Sequence, residues 1–150
     1  MNKDEIPSFF GWKPFIVLSG SMETSIYTGD LVVVKEIDAS VLKKDDIIAF
    51  RNETDTVTTH RIVDSINQNG NICFRTKGDN NNTEDAELVQ SKDIEGKYIF
   101  KISGLGNILM MLKEPKTLAI ILLAILVIGL IWINILDKIE NKQIKKEKKK

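Results

Sequence analysis

Val57–Lys77 reads VTTHRIVDSINQNGNICFRTK, and this stretch decides the fold. Two runs rich in β-branched residues, Val57–Ile66 and Asn71–Lys77, flank Gln68-Asn69-Gly70. Asn-Gly accepts positive φ at both central positions of a tight turn, so the spacing predicts an antiparallel hairpin. Similar short runs lie on either side. Upstream are Lys13–Leu18, Asp30–Glu36 after a Gly29-Asp30 turn, and Asp46–Arg51 after the polar Lys43–Asp45 turn; downstream is Lys97–Ile102. Strands this short, punctuated by turns, predict a mainly β domain of small barrel or sandwich type. Between them Gly78–Glu87 (GDNNNTEDAE) carries neither a strand nor a helix pattern. It reads as a surface loop, which in so small a domain is also where function tends to sit.

The C-terminal part is different. Thr117–Leu136 reads TLAIILLAILVIGLIWINIL, without a charge and with only Thr117, Gly129 and Asn134 not apolar. As a helix it spans about 30 Å, the hydrocarbon thickness of a bilayer. Its apolar residues lie all round, and the rest of the chain is too small to bury it as a core helix, so 117–136 reads as one transmembrane helix. Charge divides at the same place. Residues 137–150 carry seven Lys against three acids, net +4, and residues 1–136 carry 14 bases against 18 acids, net −4. Lysines at one end of a span mark its cytoplasmic side. The expected topology is therefore a single pass in the cell membrane, with a solvated, disordered basic tail inside and the β domain (13–112) extracytoplasmic.

The whole chain of 150 residues sums to zero net charge, which speaks against a nucleic-acid partner. One Cys (Cys73) excludes an intramolecular disulfide, and with a single His it leaves no basis for a zinc site, so neither metal nor cofactor is expected.

Chemistry can start from a few side chains. Leu18-Ser19-Gly20-Ser21-Met22 sets hydroxyls at the end of an apolar run, with Gly20 allowing a tight backbone path. Such a segment suits acyl transfer, in which one hydroxyl attacks while neighbouring donors hold the oxyanion, although Ser-Gly-Ser also makes ordinary turns. His60 shares a strand face with Thr58 and Ile62 and, as the one histidine of the chain, is the candidate general base. Asp79, Glu84 and Asp85 in the polar loop are each able to orient an imidazole.

In order, Ser-Gly-Ser-Met-Glu (19–23), Gly-Asp-Leu-Val (29–32), Thr-His-Arg-Ile (59–62) and Thr-Lys-Gly-Asp-Asn-Asn (76–81) resemble the successive boxes of type I signal peptidases. The match is to the Ser-His branch, which comprises the catalytic subunit of the endoplasmic-reticulum complex, the archaeal enzymes and the sporulation-type, SipW-like enzymes. It covers residues 12 to about 105. The resemblance implies a small, partly open β-barrel and a serine endopeptidase that removes signal peptides after small residues at −1 and −3. It implies Ser21 as nucleophile, His60 as general base, Asp85 as third catalytic residue and Asp79 as a structural or secondary partner. Ser19 matches the oxyanion position, and Met22 lies beside it on the substrate side. Implied partners are the signal peptides of exported preproteins, the lipid bilayer and the secretion translocon.

The sequence departs from the pattern twice. Glu23 is followed by Thr24 where the family has Pro, and the family's span before the serine box has no counterpart in the charged, proline-bearing Met1–Leu18. Residues 1–12 read as an N-terminal segment, either a truncated anchor or an interfacial one whose Phe9, Phe10 and Trp12 suit a membrane interface. Gly104–Pro115 (GLGNILMMLKEP) reads as a barrel-closing segment or the start of the helix, and alternatively as a membrane-surface contact. The competing reading of the whole is a catalytically inactive anchored β-domain that binds or assembles surface proteins.

Overall fold

The computed structural model describes residues 8–68 and 70–147. Two compact units make up the chain, one ending at Asn107 and one from Ile108 onward.

The first unit is a single antiparallel sheet. Its strands are β1 (Trp12–Ile16), β2 (Leu31–Lys35), β3 (Ile47–Arg51), β4 (Val57–Gln68), β5 (Asn71–Lys77), β6 (Val89–Gln90) and β7 (Ile94–Ile102). They run in the order β1-β2-β7-β3-β4-β5-β6. The outermost strands, β1 and β6, do not pair with each other, so the sheet stays open, as a partly open barrel requires. Every expected strand is present, with ends within two residues of the expected ones except that β7 begins at Ile94, three residues before Lys97. The two-residue β6, with the 3-10 turn Ser91–Asp93 that follows it, is too short to leave a periodic signal in the sequence.

The hairpin forms as its sequence dictates. Gln68 faces Asn71 across the turn, and Gly70 sits at φ +85°, where a side chain would be strained. Asn69, the other half of the expected turn, lies outside the described residues. Alternation then sorts side chains to two faces. Ile48, Phe50, Ile62 and Phe74 build one core cluster with Leu42 and Val89; Val32, Val34 and Ala49 build a second with Met22 and Ile26. On the opposite face of β1, β2 and β7 the register aligns Pro14, Val33 and Phe100 in one row and Ile16, Leu31 and Ile102 in the next. These two rows are apolar, which is unusual for a sheet side turned from its core, and the row beyond them is Trp12, Lys35 and Lys97. At its end, Phe9 and Trp12 close a tight turn whose tip, Phe10, is 96% exposed.

The second unit is helical. Gly104–Pro115 is mostly a short helix of its own, α1 (Leu105–Lys113), which begins in the first unit. The long helix α2 runs Pro115–Glu147, and its stretch Pro115–Leu136 is long and apolar enough to cross a membrane. The helix continues beyond Leu136 to Glu147 where a disordered tail was expected, because Lys, Glu and Gln are good helix formers.

Candidate active site

Two segments converge on the imidazole of His60, and the sheet decides how. His60 lies in the inward register of β4, opposite Ile48, in a T-shaped contact with the Phe50 ring at a centroid distance of 6.2 Å. It is 7% exposed, on an apolar floor. A buried imidazole needs partners at both nitrogens, and both have one. Nδ1 is 2.6 Å from Oδ2 of Asp85, and Nε2 is 3.1 Å from Oγ of Ser21. With the carboxylate ionised, Nδ1 carries the proton and donates to it. Nε2 is then left to accept from the serine hydroxyl.

Ser21 arrives on the loop that follows β1. Met22 and Ile26, buried in the second core cluster, pin that loop from below, and Ser25 and Ile26 donate their N–H groups to the Met22 carbonyl at 2.9 Å. The Gly78–Glu87 loop holds it from above. Asn80 donates its N–H to the Ser21 carbonyl (2.9 Å) and its side-chain amide to the Gly20 carbonyl (3.1 Å). Gly78 is needed here, because a Cβ at this position would lie 2.5 Å from the Ser21 carbonyl oxygen.

The six-residue ambiguity in the polar loop resolves into two separate contacts. Asp85, anchored by its N–H to the Thr76 carbonyl at 2.9 Å, reaches His60 and also accepts from the Thr76 hydroxyl at 2.6 Å. Asp79 turns the other way. It receives Nε and Nη2 of Arg61 at 2.8 and 2.7 Å and the Ser25 hydroxyl at 2.5 Å. The Arg61 bond, more than Ser25 and against some burial, holds the Asp79 carboxyl below the usual carboxylate range and pushes the guanidinium up in turn. Glu84 pairs with Arg75 at 3.4 Å and takes no part in the row.

The remaining expected residues are less engaged. Ser19 is exposed two positions before Ser21 and makes no side-chain hydrogen bond among the described residues. Met22 puts its side chain in the core, 2% exposed, where its sulfur accepts the Asp79 N–H at 3.4 Å. It can serve a substrate only through its backbone. A cleft of about 780 Å³ opens on the Asp85 side of His60, between Phe50–Glu53, Thr58 and the 85–93 segment.

Sequence reasoning assigned no role to Thr76, Asn80, Arg61 or Ser25. Thr76 was within reach, since it falls two residues after Phe74 on an inward strand position where a hydroxyl needs a partner. The Asn80 and Ser25 contacts depend on how two irregular loops fold together, and no periodicity reports that.

Ser21, His60 and Asp85 thus form one hydrogen-bonded row on an open β-sheet, the arrangement of a Ser-His-Asp triad. No protein-family profile matches the sequence. Among curated proteins it is 44% identical over 93 residues to Signal peptidase I W of Bacillus subtilis, covering 61% of this chain and 49% of that protein. It is 29% identical over 120 residues to the human Signal peptidase complex catalytic subunit SEC11C, covering 74% and 62%. To the SEC11 catalytic subunit of Verticillium alfalfae it is 30% identical over 122 residues, covering 74% of this chain and 70% of that protein. The chain belongs to the signal peptidase family, in the branch that holds Signal peptidase I W and the SEC11 subunits. It spans about half the length of the Bacillus relative, 49%. Family membership and the apolar C-terminal helix together point to a membrane-associated protein.

Proposed function

We propose that this chain is a membrane-anchored serine endopeptidase that removes signal peptides from exported preproteins. The observation that carries the reading is the row itself: Ser21 Oγ at 3.1 Å from His60 Nε2, and His60 Nδ1 at 2.6 Å from Asp85 Oδ2. In this mechanism His60 takes the Ser21 proton as Oγ attacks the carbonyl at −1. Asp85 holds the tautomer that leaves Nε2 free to accept and stabilises the imidazolium that forms. His60 then passes the proton to the leaving amine, and water, activated by the same imidazole, hydrolyses the acyl-enzyme. The Ser19 hydroxyl and the backbone N–H of Ser21 are the donors assigned to the oxyanion.

The preprotein binds extended, adding a strand through main-chain hydrogen bonds, with small side chains at −1 and −3. Among the described residues an edge is unpaired beside the site: residues 57–60 of β4 pair with β3 on one side, and β5 joins the other side only from Arg61 onward. The domain, residues 13–112, lies outside the cell, the 117–136 helix spans the membrane, and the basic residues 137–150 stay inside. The −4/+4 division of charge supports that topology. Support for the bilayer as a partner comes from the two apolar rows on the outer side of β1, β2 and β7 and from the exposed Phe9–Phe10 tip. The secretion translocon is the expected source of substrate.

Expressed in cells lacking their own peptidase of this type, the wild type should release processed protein whose N-terminus follows an Ala-x-Ala-like site. Ser21→Ala and His60→Ala should each abolish processing while accumulating in membranes. Normal cleavage by either variant rules the reading out. Labelling of the wild type by a serine-reactive acylating probe, absent in Ser21→Ala, separates an enzyme from an inert binding domain.

A further inference from the structure

Thr76 contributes nothing to substrate contact in the mechanism above, yet its hydroxyl is placed on the acid of the row. The side chain is fully buried, 0% exposed, on the inward face of β5, opposite Ile62 and two residues from Phe74. Those neighbours are apolar, and a valine of the same shape would suit them better. A buried hydroxyl is tolerated only with a partner, and the partner here is Oδ2 of Asp85 at 2.6 Å. That is the oxygen His60 Nδ1 reaches, also at 2.6 Å. The contact is reciprocal, because Asp85 returns its own N–H to the Thr76 carbonyl at 2.9 Å. Asp85 otherwise stands in an irregular loop, with its side chain 23% exposed. A carboxylate there is free to rotate about χ2 unless something fixes it.

We propose that Thr76 is a positioning residue of the triad, acting through Asp85. Its hydroxyl orients the carboxylate so that a single oxygen meets His60, and the backbone pair anchors the loop residue to the sheet. This rests on the peptidase reading. The geometric part has its own observable, however, because the His60–Asp85 hydrogen bond exists whether or not a substrate is cut.

Two substitutions separate the hydroxyl from the methyl. Thr76→Val keeps the shape and removes the donor; Thr76→Ser keeps the donor and removes the methyl. Loss of a hydrogen bond to a charged group should lower kcat of Thr76→Val by about 10- to 100-fold. KM should be unchanged, since the substrate is not touched, and Thr76→Ser should stay within about threefold of wild type. In the Ser21→Ala background of the full chain in detergent, the low-field proton resonance of His60 Nδ1–H should shift or broaden with Thr76→Val and persist with Thr76→Ser. A core threonine of purely packing value gives the opposite order, with Val active and Ser impaired, and that result overturns the proposal. So does an unmoved Nδ1–H resonance in Thr76→Val. Should Val fail to fold, Thr76→Ala is the second hydroxyl-free variant, read by the same two measurements. A wild type that never acylates removes the peptidase reading but leaves the resonance test of Thr76 standing.

Discussion

Asp79 and Asp85 belong to one polar loop, carry the same side chain and stand six positions apart, yet they bind to different parts of the protein. Asp85 closes onto the end of β5 and onto His60; Asp79 closes onto Arg61 and Ser25. The difference arises in β4. His60 and Arg61 are adjacent, so the pleat sends their side chains to opposite faces, and each collects the carboxylate on its own side. The loop thereby supports both ends of the row, with Asp85 holding the base and the Gly78–Asn80 segment holding the backbone of the nucleophile. Asp79 fastens that segment to the sheet.

The sharpest way to break this division is to remove each acid in turn. Asp85→Ala should lower kcat by about 10²–10⁴-fold, the value of an oriented general base. Asp79→Ala should lower it by less than about tenfold and show its effect mainly in stability. Peptide cleavage by the two purified variants, beside their thermal melts, decides the matter. Should Asp79→Ala prove the slower enzyme, the assignment of roles is reversed.

Gly78 tests the nucleophile end. Alanine there places a Cβ 2.5 Å from the Ser21 carbonyl oxygen, so the backbone of one loop must give way. A displacement approaching 1 Å at the attacking group costs about 10²-fold. Gly78→Ala should therefore lose close to that in kcat while keeping its sheet, as judged by circular dichroism. If Gly78→Ala matches the wild type, the loop does not set the position of Ser21.

Much of this was legible in the sequence, and unevenly so. The strands around Val57–Lys77 could be read because β-branched alternation and an Asn-Gly turn are local signals, and β6 was missed because two residues carry none. The apolar helix was visible from composition alone, but its continuation to Glu147 was not, since a charged tail is compatible with either helix or coil. Ser21, His60 and Asp79 were named from their boxes, and Asp85 from its place six residues beyond Asp79. The loop residues by themselves left open which acid meets the histidine, because that depends on which face of β4 each loop end reaches. Met22 illustrates the converse: its neighbour in sequence points at the site, while its own side chain packs in the core.

The smallest expected effect is on acid stability, and it separates Asp79 from the row once more. The bond to Arg61, helped by Ser25, depresses the Asp79 carboxyl against burial. Burial raises the Asp30 and Glu95 carboxyls, but Lys101 with two backbone N–H groups, and Lys13 with Arg51, more than reverse it, so both are depressed as well. A carboxyl with a lowered folded pKa stabilises the fold fully above its unfolded value near 4. It loses that contribution as pH falls through the folded value. The domain should accordingly hold its urea midpoint from about pH 7 to 5 and lose it below about pH 4. Asp79→Asn keeps the shape and removes one of the three groups. At pH 7 it should cost about 1 kcal/mol, since the Arg61 side chain remains 31% exposed and water screens the pair. Between pH 5 and 3 the variant should then lose less than the wild type, so that the two curves converge at low pH. Parallel curves, equally steep in acid, mean that the Arg61–Asp79 pair adds nothing to the fold. In that case the loop is held by its other contacts, those of Asn80 and Asp85 foremost.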